Sequence, residues 1–152
     1  WGLISTAGGS DTDYQSASQS SYDTTDADYE AIKKTAAEAA EAWLSMAYAN
    51  DKASFDAGRK SYLSYVQAGS PLVDAYGRLA FKEPASSVAG TKIASVTWTS
   101  FPYWRDSGGG VLVSYAVRTA DREFSDSLTL SFSWVKSGET GEWKISGDST
   151  VR

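Results

Sequence analysis

The stretch TADREFSD, residues 119 to 126, sets Asp121 and Glu123 two positions apart with Arg122 between them. Carboxylates at i and i+2 of a strand share a face, and a carboxyl group in an apolar pocket can have its pKa raised enough to act as a general acid or base. With Tyr115 as a hydrogen-bond donor, this is the strongest enzymatic candidate in the chain. A charged hairpin turn accounts for the same residues, because carboxylates are nearly always solvated, and this is the preferred reading.

Other chemistry is limited by what the chain lacks. It contains no His and no Cys among its 152 residues, which removes Ser-His-Asp and Cys-His nucleophiles, thiolate and imidazole metal sites, and disulfides. Asp11 and Asp13 resemble a calcium loop only loosely, without the Gly and closing Glu such a loop needs, so no metal is expected. The triple glycine in SGGGV leads into a strand rather than a helix, so it offers phosphate no helix N-terminus. Lys33-Lys34 and Arg59-Lys60 are isolated doublets on a nearly neutral body, and direct nucleic-acid binding is not expected. No cofactor is implied.

Charge and composition divide the chain. Residues 1 to 26 are rich in Ser, Thr, Asp and Gly and hold no Lys or Arg, whereas residues 31 to 152 hold 13 acids against 14 bases. Such a stretch cannot bury enough apolar surface to offset its ordering entropy, and it reads as a mobile acidic tether. The chain begins at Trp1 with no signal-peptide pattern, as expected of a processed form or a fragment.

From residue 27 to the end a folded domain is expected. Tyr29, Ile32, Ala36, Ala39, Ala40, Trp43, Leu44 and Ala47 recur at three and four, which predicts a long helix over about 27 to 49 behind an Asp26 cap. Trp43 belongs on its buried face. A second helix carries Phe55, Arg59, Tyr62, Leu63 and Val66 and stops near Gly69, and a third starts at Pro71. Arg59 is placed to cap carbonyls or to pair with Asp51 or Asp56, fixing how the first two helices meet. After Pro84 the period becomes two: Val111, Val113, Tyr115 and Val117, then Leu128, Leu130, Phe132 and Trp134, each alternate with small or hydroxyl residues. A last strand bears Trp143 and Ile145. Helices first and a meander afterwards predict an α+β domain, a curved four-stranded antiparallel sheet folded over the long helix.

Between two of these strands stands WTSFPYWRDSGGG. Trp98 and Tyr115 fall in alternating runs and belong to the sheet. Phe101, Tyr103, Trp104 and Arg105 flank Pro102, which cannot donate to a ladder, and Gly108 to Gly110 are expected to leave the turn free to move. Aromatics beside an Arg on an irregular edge have the composition of a protein-contact site, and a local lid over the core is the equal alternative.

The run AAEAAEAWLSMAYANDKASFDAGRKSYLSYV, with Arg59, Leu63 and Tyr65 in its second helix, followed by a meander ending in EWKISG, resembles the nuclear-transport-factor-two-like (cystatin-like) superfold. More narrowly, residues 27 to 152 resemble the TcpC-like conjugation proteins of Gram-positive bacteria, relatives of the VirB-eight scaffold of type IV secretion systems. That resemblance implies a non-catalytic scaffold domain on the cell-wall side of the membrane, held by an upstream transmembrane helix and bound to other subunits and to copies of itself. TcpC-like proteins often carry two such domains, and one is present here. The superfold also hosts isomerases, cyclases and ligand binders, so a ligand-binding or enzymatic member is the alternative; those sites place an acid inside the cone, and the apolar runs here contain none.

Overall fold

A computed structural model of the chain describes residues 23–137 and 140–150. Most of the tether read over residues 1 to 26, with Asp11 and Asp13, lies outside the described residues.

Three helices precede four strands: α1 Asp26–Ala47, α2 Lys52–Leu63, α3 Pro71–Gly77, then β1 Val88–Ser100, β2 Gly109–Thr119, β3 Glu123–Ser137 and β4 Thr140–Asp148. The strands form one open antiparallel sheet in the order β1-β2-β3-β4, the α+β arrangement expected from the change of period. α1 lies across the sheet and touches all four strands. Its apolar stripe, Ile32, Ala36, Ala39, Ala40, Trp43 and Leu44, is buried against Val111, Val113, Val117, Leu128, Leu130 and Ile145, in one core. The opposite face carries Leu112, Ser114, Ala116 and Arg118 of β2 and the hydroxyl residues Ser127, Thr129 and Ser131 of β3.

The helix ends are set by side chains. α1 is capped by Thr25 rather than Asp26: the Thr25 hydroxyl accepts from the Asp28 N–H, and the Asp28 carboxylate accepts from the Thr25 N–H at 2.8 Å. An Asp three residues after a Thr closes this reciprocal box as a Glu does. α2 is capped by Asp51, which accepts from Ser54 N–H at 2.7 Å, and α3 by Ser70 with Pro71 in its first turn. α2 stops at Leu63, earlier than its apolar period suggests, because the next residues turn to pair with the sheet. Ile145 donates to Tyr65 O and accepts from Gln67 N–H, both at 2.8 Å, so Val66 lies parallel to β4.

The two long helices approach closely at Gly58. A Cβ there would stand 2.6 Å from the backbone nitrogen of Met46, so only glycine lets the α1 and α2 backbones meet. Between the helices and the sheet, Trp43 packs at 5.8 Å from Tyr115 and 6.2 Å from Tyr48. Its indole N–H donates to the Tyr76 hydroxyl at 3.2 Å, so the ring joins α1, α3 and β2.

Trp43→Ala is expected to cost about 3–5 kcal/mol, the range for a large buried aromatic, in urea unfolding monitored by far-ultraviolet circular dichroism. Gly58→Ala is expected to cost about 1–3 kcal/mol through overpacking. Gly77→Ala, where an added Cβ meets nothing, is expected to be neutral or stabilising by up to about 1 kcal/mol.

Candidate functional site

The loop from Phe101 to Ser107 joins β1 to β2 and carries the most exposed rings among the described residues. Tyr103 is 75% exposed, Phe101 53% and Trp104 39%, while Pro102 between them is fully buried. Burial of the proline gives the loop its footing. Its carbonyl accepts from the Tyr29 hydroxyl at 3.0 Å, and Tyr29 meets Trp98 edge-on at 5.5 Å and Phe101 at 6.2 Å. Ser107 closes the far side, donating from its N–H and hydroxyl to Trp104 O at 3.0 and 2.7 Å. The residues entering α1 run alongside: Asp23 bridges to Trp104, and Thr24 N–H reaches Tyr103 O at 3.4 Å.

The glycines after the loop are not a loose turn. Gly109 and Gly110 are the first residues of β2 and pair with Phe132 and Ser131. Gly108 has a φ of 71°, and a Cβ there would stand 2.8 Å from Phe132 O. At Gly109 a Cβ would stand 2.8 Å from the Pro102 ring. Gly108 and Gly109 therefore allow close packing under the loop, and Gly110 allows close packing against Thr99 and Ser100 of β1.

Arg105 differs from its three aromatic neighbours in that it is turned toward the fold. Its Nε donates to Asp28 Oδ2 at 3.1 Å, and its guanidinium lies 4.2 Å from the centroid of Trp134. Asp28 is buried and also accepts from the Trp143 indole N–H at 3.0 Å. Burial alone would raise its pKa; the hydrogen bonds from the Thr25 backbone, Trp143, Arg105 and the Thr25 hydroxyl outweigh it and hold the carboxyl below the usual carboxylate range. One carboxylate thus holds the start of α1, the aromatic loop and the last strand.

The enzymatic candidates are not brought together. Asp121 and Glu123 are both exposed. Glu123 pairs with Arg118 across the β2–β3 ladder, on the face opposite the buried Tyr115, whose hydroxyl meets that of Tyr48 at 3.1 Å. Arg122 lies over the Phe124 ring at 4.7 Å. Arg59 pairs with Asp56 at 3.1 Å and donates to Tyr76 O and Leu79 O at 3.2 and 2.7 Å, so it caps carbonyls as expected but ties α2 to α3 rather than to α1.

One polar cluster was not visible from the sequence. The Tyr62 and Tyr76 hydroxyls donate to the same Asp148 oxygen at 2.6 and 2.7 Å, and Thr150 donates to the other from its N–H and hydroxyl at 2.9 and 2.7 Å. Burial pushes both phenols well above the ordinary tyrosine range, and the Asp148 carboxylate adds to this. The only local signal is that Tyr62 and Tyr76 sit on apolar helix faces where a buried hydroxyl requires a partner.

Comparison of the chain with protein-family models, curated proteins and solved structures finds no match. Among the described residues no helix is long and apolar enough to cross a membrane.

Because the folded pKa of Asp28 lies below its unfolded value, its contribution to stability is complete above about pH 4 and is lost as pH falls through the folded value. The stability gap between wild type and Asp28→Asn is therefore expected to narrow as urea unfolding is repeated from pH 6 down to pH 3. The phenols act in the opposite direction. With folded pKa values above unfolded ones, Tyr62 and Tyr76 favour the fold below about pH 10 and progressively cease to do so as pH rises further. Alkaline unfolding is expected to begin later in Tyr62→Phe than in wild type, relative to each protein's own stability at neutral pH.

Proposed function

We propose that this domain is a non-catalytic assembly module that works through protein contacts, as a scaffold component of a Gram-positive conjugative type IV secretion apparatus. The observation that supports contact is the set of rings at Phe101, Tyr103 and Trp104, exposed on a loop whose backbone is fixed by buried Pro102 and by the Arg105–Asp28 pair. Large aromatics carried on a backbone already held in place lose less entropy on association, which favours such residues as contact anchors. Arg105 acts in this reading by positioning the loop. The secretion assignment rests on the sequence resemblance of residues 27 to 152, and in that setting the domain stands outside the membrane. The aromatic loop runs beside Asp23 and Thr24, at the start of α1.

Sedimentation velocity across a concentration series tests the contact. Self-association is expected for the wild type, and the double variant Tyr103→Ser, Trp104→Ser is expected to weaken it about tenfold or more while its melting temperature stays within about 2 °C. A large drop in melting temperature would assign these rings to the fold instead. Undiminished association in a stable double variant would remove the loop as the contact.

A further inference from the structure

A cavity of about 340 Å³ lies between the last turn of α1, helices α2 and α3, and the segment joining α3 to β1. None of its lining residues belongs to a strand. Trp43, Phe55, Tyr76 and Phe81 form aromatic walls, with Met46 and Leu79 beside them. Leu79-Ala80-Phe81 is an apolar run in a segment of irregular backbone, and Leu79 is 46% exposed, so burial in the core does not account for it.

The walls are fixed without any ligand. The Tyr76 hydroxyl is held by Trp43, Asp148 and Thr150. Arg59 ties down the carbonyls of Tyr76 and Leu79 and lies 5.0 Å over the Phe55 ring, which packs at 5.8 Å against Phe81. A dry apolar cavity of about 150 Å³ takes one benzene, so this one has room for a body of about two fused rings.

The polar groups select its head. The indole N–H of Trp43 is given to Tyr76, and the hydroxyls of Tyr76 and Thr150 are given to Asp148. The remaining side-chain donor of the lining belongs to Lys82, an exposed residue, and the lining contains no carboxylate. A ligand with an apolar body therefore meets a cation at the mouth and no competing anion on the walls.

We propose that this cavity binds a small amphipathic carboxylate, with an apolar body of about two rings between α1, α2 and α3 and its anionic head at Lys82. The site is separate from the aromatic loop and does not depend on the assembly role.

2-Naphthoate and its neutral counterpart 2-naphthamide, titrated into ¹⁵N-labelled protein, test it. The expected result is saturable shifts at the amides of Ala47, Ala75 and Leu79 to Lys82, with a Kd of about 1 mM or tighter for the acid. The amide should bind about two- to fivefold more weakly, the contribution of one solvent-exposed charge pair. Lys82→Gln should bring the acid down to the amide's affinity and leave the amide unchanged. Ala75→Trp should fill the cavity and abolish both titrations, and Ala80→Trp should do so from the irregular segment without substituting a helix residue. Absence of saturable shifts, or binding that survives in a folded Ala80→Trp variant, overturns the site. Equal affinity for acid and amide overturns the choice of a carboxylate.

Discussion

The arrangement turns on one buried carboxylate. Asp28 sits in the first turn of α1, where the helix dipole favours negative charge, and completes the capping box with Thr25. Its remaining lone pairs take the Trp143 indole and the Arg105 guanidinium, so the first helix, the loop between β1 and β2, and the last strand are joined through two oxygens. A buried charge tolerates this only when its partners are complete; removing one of them typically costs about 3–5 kcal/mol because the other is left unpaired. The cation is stacked as well as paired, with Trp134 beneath Arg105 and Trp143 edge-on at 5.4 Å from Trp134.

The opposite end of α1 is organised differently. Trp43 carries the contact between helix and sheet, and its single N–H leads through Tyr76 to Asp148, where Tyr62 and Thr150 also converge. Asn50, at the turn after α1, exchanges two hydrogen bonds with the Val88 backbone at 2.9 and 2.8 Å, setting the start of β1 against the helices. Neither end relies on apolar packing alone, and each presents a surface feature built on it: the aromatic loop over Asp28, the cavity beside Tyr76.

Elements with a strong period were legible in the sequence. The apolar stripe of α1, the burial of Trp43 and the alternation of β2 and β3 follow from side-chain spacing, which is a local property. Arg59 was legible as a fastener because it lies between apolar positions of one helix. The cap of α1 was misplaced by one residue, since Thr25 and Asp26 are both good caps and only the reciprocal bond to Asp28 distinguishes them. Gly109 and Gly110 read as a turn because nothing local reveals that Pro102 will pack on the one and Thr99 on the other. Apart from Thr25 and Thr150 close by in sequence, the partners of Asp28 stand 77 and 115 positions away, and those of Asp148 are 86 and 72 positions away. Pairings at that distance leave no spacing to read, so Arg105 could be seen as exposed and aromatic-flanked but not as the counter-charge of a helix cap.

The edges of the sheet limit how copies of this domain can meet. β1 has three register shifts against β2, at Val88/Gly90, Ile93/Ser95 and Trp98/Ser100, and such bulges break the straight row of free N–H and C=O groups that an added strand would need. On the other side, β4 already gives the N–H and carbonyl of Ile145 to residues 65 and 67. A neighbour is therefore denied an uninterrupted main-chain ladder on either side, and recognition falls to side chains, which can be exchanged without zipping the backbone. Edges interrupted in this way offer less of a template for strand-by-strand aggregation than straight, unpaired ones.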